Sequence, residues 1–237
     1  TCGMAHLGDW LAAFEGISGN AMQAAIDHVP NLRNPFAPDD APDFAILIEL
    51  EANAATKYSN LDLQEALNSF LEDQFESTIV NAALGNAEEL WHLRHSISEG
   101  ARALGKPIAF DVSVPRSRIM EFCRRGRELV ARDYPFLTVV DFGHIADGGV
   151  HFNVIWRKDA AEPYDPAVVQ RLRDAIYGMV VQDFGGSYSA EHGVGPHNMA
   201  YYHRCTPLLL QQWADGWRER LDPQRLCGTV DLGVPKV

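Results

Sequence analysis

The sequence predicts an α+β or α/β domain. Strand-like and helix-like segments alternate along most of the 237 residues. Ala146-Asp147-Gly148-Gly149 stands between two apolar runs and marks a hairpin, Asp and Gly supplying the turn conformations. An apolar content of 46% is enough to bury a core of ordinary size.

In chain order, residues 11–17 read as a short strand, 19–28 as a helix, and 44–51 as a buried strand bounded by the proline-rich stretch 34–42. Residues 62–75 follow as an amphipathic helix and 77–82 as a strand. Asn86, with Glu89 three positions later, reads as a capped helix start. Leu90, Leu93 and Ile97 continue at helical spacing, to about Leu104. Residues 107–114 alternate as a strand, and Pro115 opens a helix over 116–132, where its missing N–H costs nothing. The hairpin strands are 138–145 and 150–156. Two helices, 165–184 and 199–221, close the chain around the glycine-rich loop 185–195. Tyr201, Tyr202, Trp213 and Trp217 read as core packing. Neither repeats nor a long linker divide the sequence, so 1–237 is expected to be one domain.

Composition removes several function classes. A formal charge of -12 repels phosphate backbones and anionic membrane surfaces. The longest apolar runs, 44–50 and 207–210, fall far short of the roughly 20 residues of a membrane span, so a soluble protein is expected. Cys2, Cys123, Cys205 and Cys227 form no C-x-x-C pair, which argues against a zinc ribbon or thioredoxin-type site and fits a reducing, cytoplasmic setting. No secretory signal is visible in residues 1–10, and the abrupt start suggests an excised portion of something longer. Six arginines between Arg116 and Arg132 are either a solvated helix face or a docking face for an electron acceptor.

Chemistry concentrates in two places. His144 and His151 flank the hairpin turn, and His151 shares a strand face with Asn153. Histidine is intermediate in burial and often simply hydrogen-bonded, so such a pair alone is more readily read as structural. Ser189-Ala190-Glu191-His192-Gly193-Val194-Gly195 puts an acid and a histidine side by side between glycines that let the backbone turn sharply. Joined together, His144, His151 and Glu191 make a set suited to zinc, manganese or another divalent metal, with a coordination position left for substrate. His192 would then be free to accept a proton, as imidazoles do near neutral pH.

These motifs resemble the C-terminal domain of FAD-linked 2-hydroxy-acid oxidases and dehydrogenases, a family that includes D-lactate dehydrogenases, the flavin subunit of glycolate oxidase and D-2-hydroxyglutarate dehydrogenase. The family pattern G-H-x-G-D-G-N-x-H-x-N is similar to Gly143 through Asn153, and S-x-E-H-G-x-G to Ser189 through Gly195. L-W-x-x-R is similar to Leu90-Trp91-His92-Leu93-Arg94, and D-x-S-x-P to Asp111-Val112-Ser113-Val114-Pro115. The resemblance implies an α+β fold, an antiparallel sheet with packed helices, in a ferredoxin-like cap domain of the vanillyl-alcohol-oxidase type that ends in a helical segment at about 199–237, with FAD held mainly by an N-terminal domain that this sequence does not contain. It implies metal ligands His144, His151 and Glu191, catalytic base His192, and substrate contacts from Arg94, Ser98 and Asn153. The substrate would be a small 2-hydroxy acid, the partners a flavin domain of the same or a separate chain and an electron acceptor, and a homodimer is compatible with all of this.

Departures from the pattern qualify that reading. The family's G-D-G-N turn is Ala146-Asp147-Gly148-Gly149 here, which would be strained if Ala146 had to adopt positive φ. Ala109 stands where many D-2-hydroxyglutarate-type members carry lysine, and the terminal L-N-P-G-K is replaced by Leu226-Cys227-Gly228-Thr229-Val230. A non-catalytic regulatory or assembly subunit that keeps the fold is therefore the alternative, and a metal-dependent hydrolase with His192 activating water is a third.

Overall fold

The computed structural model describes residues 7–54, 56, 62–75, 77–227, 230 and 232. Cys2, His6 and the Gly228-Thr229 pair lie outside them. The elements are β1 (Leu11–Ser18), α1 (Gly19–His28), β2 (Phe44–Leu50), α2 (Leu63–Gln74), α3 (Ala87–Leu104), β3 (Gly105–Ile108), β4 (Asp111–Ser113), α4 (Ile119–Asp133), β5 (Leu137–Gly143), β6 (Gly149–Arg157), α5 (Pro166–Gly178), α6 (Met199–Cys205) and α7 (Leu208–Leu221).

Side-chain caps fix several helix starts. Ser18 accepts the Ala21 N–H at α1, Asp62 accepts from Gln64 and Glu65 at α2, Asn86 accepts the Glu88 N–H at α3 and Asp165 accepts from Ala167 at α5. The capped start read at Asn86 is thus present, closed by a side-chain oxygen that satisfies an otherwise orphan N–H.

The sheet runs β2-β1-β5-β6-β3, with β4 also on β6, and every pairing is antiparallel. The strand expected over 107–114 is interrupted at Ala109 and Phe110. Its two pieces nevertheless hold one register, Ile108 opposite Val154 and Asp111 opposite His151, and the Phe152 N–H still donates to the Phe110 carbonyl at 2.9 Å.

Alternation along β5 and β6 builds a core on each side of the sheet. Val150, Phe152, Val154 and Trp156 join Phe122 of α4 and Leu172 and Ile176 of α5. On the other face Val140, Phe142 and Ile155 pack with Ile17 of β1, Ala21 and Met22 of α1, and Leu93 and Ile97 of α3. Both faces are covered by helices, so a polar side chain pointing from a central strand enters the interior.

Three expectations change. Residues 77–82 form no strand: only an isolated bridge links Phe75 to Ile79, and Val80 stands exposed. The helix read over 199–221 breaks at Thr206 and Pro207, since Pro207 cannot donate the N–H that a continuous helix needs. Beyond that break Trp213 and Trp217 are 59% and 64% exposed, whereas Tyr201 and Tyr202 are buried. With both sheet faces already covered, α7 buries only Gln211.

The arginines around α4 are paired rather than free. Arg118 bonds Glu121, Arg124 bonds Glu128, Arg125 bonds Asp183 and Arg132 bonds Asp133, while Arg127 turns inward onto the fully buried Asp141. No helix among the described residues is long and apolar enough to cross a membrane.

Candidate functional site

The tight turn brings the two hairpin histidines together. Gly148 carries the one positive φ of the turn, +99°, and a Cβ there would lie 2.5 Å from the Val114 carbonyl oxygen. Ala146 has no positive φ, so the strain considered for this substitution is not present. Gly143 is equally constrained, because a Cβ would come within 2.4 Å of the Gly149 carbonyl oxygen. The resulting close approach leaves the His144 and His151 rings edge to face, centroids 5.5 Å apart.

The glycine-rich loop is fastened to β4 and delivers Glu191 and His192. Ser113 and Ser187 exchange backbone hydrogen bonds at 3.0 and 2.9 Å. Asp111 accepts the Ala190 N–H at 3.1 Å and the His192 N–H at 2.8 Å on Oδ2. Gly193, at φ +70°, turns the chain back, and its carbonyl is held by Ser189 Oγ and Asn198 Nδ2.

Glu191 then faces three imidazoles. His144 Nε2 is 3.4 Å from Glu191 Oε2, while His151 Nε2 and His192 Nε2 are 3.2 and 3.7 Å from Oε1. The His151 and His192 rings stack with centroids 5.5 Å apart. The opposite edges of the rings meet further carboxylates. Glu15 Oε1 is 2.7 Å from His144 Nδ1, and Asp111 lies 3.4 Å from His151 Nδ1 and 3.8 Å from His192 Nδ1.

Asp111 and Glu15 were not among the residues picked from sequence. Asp111 is directly opposite His151 in the β4–β6 register, which is why its carboxylate reaches that ring. Burial works to raise its pKa, but the facing His151 imidazole, the His192 N–H and the charge of both rings outweigh it and hold the carboxyl below its ordinary value. Its Oδ1 is buried with no hydrogen-bond partner, His151 Nδ1 standing off at 3.4 Å. Glu15 is 5% exposed in β1, between Ala13 and Ile17 on the same strand face. A charged side chain at a core-facing position of a strand is the signal that would have marked both.

The donor set suits a divalent cation. A carboxylate oxygen only accepts, so the 2.7 Å contact calls for a proton on His144 Nδ1. In its neutral form the ring then turns the Nε2 lone pair towards Glu191, and a cation between them would join the two donors. Asp111, His151, Glu191 and His192 can also each offer a ligand atom, all within 4.8 Å of one another. His151 and Glu191 are common to that group and to the set expected from sequence.

The expected substrate contacts are spread around this centre. Asn153 lies two residues beyond His151 on the same strand face, opposite Val140. Arg94 of α3 is 7% exposed and gives Nε and Nη2 to Glu15 Oε2 at 2.9 and 2.7 Å. Ser98 is exposed one turn further along α3. Beside His144 and Glu191 opens a cavity of about 310 Å³, bounded by Leu11 through Glu15, Ala146 and Asp147. No lysine or arginine lines it among the described residues.

Sheet, hairpin and loop together define an α+β domain whose site is built from imidazoles backed by carboxylates. The chain belongs to the family described as FAD linked oxidases, C-terminal domain, which it matches over residues 2–229. It is 31% identical over 223 residues to a D-2-hydroxyglutarate dehydrogenase of Xanthomonas citri pv. viticola, covering 94% of this chain and 46% of that one. It is 28% identical over 195 residues to a mitochondrial D-2-hydroxyglutarate dehydrogenase of Arabidopsis thaliana, covering 80% and 32%. A mitochondrial D-2-hydroxyglutarate dehydrogenase of Rattus norvegicus is 30% identical over 228 residues, covering 92% and 39%. The chain thus spans less than half the length of each of these relatives.

Proposed function

We propose that this chain forms the substrate side of an FAD-dependent dehydrogenase of small 2-hydroxy acids, with His144, His151 and Glu191 holding a divalent metal, zinc or manganese. The supporting observation is the convergence of His144 Nε2 and His151 Nε2 on the two oxygens of Glu191. Asp111 faces the Nδ1 edges and already accepts two backbone N–H groups, so it is better placed to orient the rings than to bind the ion. The bound groups would supply Lewis acidity toward the substrate hydroxyl and carboxylate, and a hydride acceptor.

The chain's own residues do the rest. His192, 64% exposed beside Glu191, is placed to take the hydroxyl proton at an open face of the site. Asn153 and Ser98 are kept as polar contacts to the substrate. Arg94 is kept as a candidate carboxylate contact, although two of its N–H groups are committed to Glu15. The cavity accommodates a small acid. Its lining is acidic, and Ala109 stands where a lysine would serve a second carboxylate, which favours a monocarboxylate substrate.

The flavin domain is proposed to come from the same or a separate polypeptide. Turn strain gives no ground for the non-catalytic alternative, since positive φ falls on a glycine. The test is anaerobic flavin reduction by a panel of 2-hydroxy acids in the flavoprotein that carries this domain. Reduction that His192→Ala abolishes, with metal content retained, supports the reading; no reduction by any 2-hydroxy acid in the metal-loaded protein overturns it.

A further inference from the structure

Behind the site the interior holds a buried ion pair, Arg94 with Glu15, that runs on to the proposed ligand His144. Arg94 gives Nε and Nη2 to Glu15 Oε2, and the other oxygen of Glu15 meets His144 Nδ1 at 2.7 Å. The three residues come from α3, β1 and the end of β5. Arg94 is further fixed by the Phe142 ring, 4.6 Å below its guanidinium carbon. Glu15 and Arg94 are almost completely buried, so water competes little for the bonds between them.

We infer that Glu15 is a positioning residue that fixes the tautomer and ring orientation of His144, and that Arg94 holds Glu15 in place. The carboxylate can only accept, so it selects the Nδ1–H form and leaves Nε2 as the free ligand atom aimed at Glu191. Arg94 leaves one Glu15 oxygen for the imidazole by occupying the other with two N–H bonds. Asp111 stands in the same relation to His151, but at 3.4 Å and with its other oxygen committed to the loop backbone. The tightest orienting contact in the site is therefore the one to His144. This inference rests on the proposed metal role of His144, and it gives Arg94 a task besides the carboxylate contact proposed above.

Removing Glu15 alone would strand a buried guanidinium, so the informative variant is the double replacement Glu15→Leu/Arg94→Met, which removes both charges and keeps apolar volume. Two readouts are taken, with circular dichroism as the check on folding. One is the nitrogen-15 chemical shifts of the His144 ring in the metal-free protein, which report the tautomer. The other is zinc affinity by competition with a chelating dye. The expected result is a folded double variant in which His144 loses its Nδ1–H preference and zinc affinity falls about 10–100-fold, the usual effect of losing such a partner. Glu15→Asp, which restores an acceptor, should recover part of both. A double variant with unchanged His144 shifts and unchanged zinc affinity overturns the inference. If the wild type binds neither zinc nor manganese, the metal reading fails, whereas the metal-free ring shifts still decide the role of Glu15. Should the double variant not fold, Glu15→Gln with Arg94 intact is read by the same His144 shifts: the two Arg94 N–H groups claim the one amide oxygen and turn the NH2 to His144, so an unchanged Nδ1–H tautomer there overturns the inference.

Discussion

His144 and His151 meet edge to face at a centroid separation of 5.5 Å across a turn whose only positive φ is at Gly148. Both present Nε2 to one carboxylate, Glu191, which arrives from a loop some forty residues further along the chain. The site therefore depends on two separate backbone devices, the tight hairpin and the docking of the loop onto β4.

The metal reading predicts that His144→Ala, His151→Ala and Glu191→Ala each abolish near-stoichiometric zinc or manganese binding. Elemental analysis after supplementation and desalting measures it. Retention of metal by both His144→Ala and Glu191→Ala would exclude the His/His/Glu site.

Gly148→Ala should destabilise the fold by about 1–3 kcal/mol through positive φ alone. A further cost follows from the new Cβ meeting the Val114 carbonyl oxygen at 2.5 Å. Ala146→Gly should lower stability only slightly, by loosening the unfolded chain. Chemical denaturation of the two variants compares them, and equal losses would contradict the assignment of the turn's strain to Gly148.

Phe152 is fully buried between Phe110 and Phe122, with ring centroids 6.5 and 5.4 Å away. Its neighbour in sequence, His151, points to the other face of the sheet. Phe152→Ala should cost about 3–5 kcal/mol by opening a cavity, and it should weaken metal binding only as far as the fold loosens. Denaturation midpoints and zinc affinity together separate the two effects.

The Tyr201 phenol is pushed up to about 12, mainly by burial and then by its hydrogen bond to Asp174. A folded pKa above the unfolded value near 10 gives a contribution fully present below pH 10 and lost as the pH rises towards 12. Thermal unfolding should therefore show a loss of stability between about pH 10 and 12 that is smaller in Tyr201→Phe. An identical alkaline profile for the variant would refute it.

Much of the site was legible because its residues are grouped in the sequence. His144, Asp147, Gly148 and His151 fall within one short hairpin segment, and Glu191 and His192 are adjacent between glycines, so residue type and turn chemistry were enough to nominate them. The cap at Asn86, the β5–β6 hairpin and the strands β1 and β2 followed from local alternation and local hydrogen bonding, which depend on near neighbours.

Glu15, Asp111 and the orientation of Arg94 were decided only by tertiary structure. Glu15 and His144 are separated by 129 positions, and Glu15 and Arg94 by 79, so only the docking of α3 and the pairing of β1 with β5 brings them into contact. The same holds for α7, whose apolar pattern at Trp213 and Trp217 has the spacing of a core helix but faces outward because both sides of the sheet are already covered. Sequence determines which side chains alternate and which turns can close; which distant side chains share one buried space is set by the packing of whole elements, and in this domain that packing supplies the carboxylates behind the histidines.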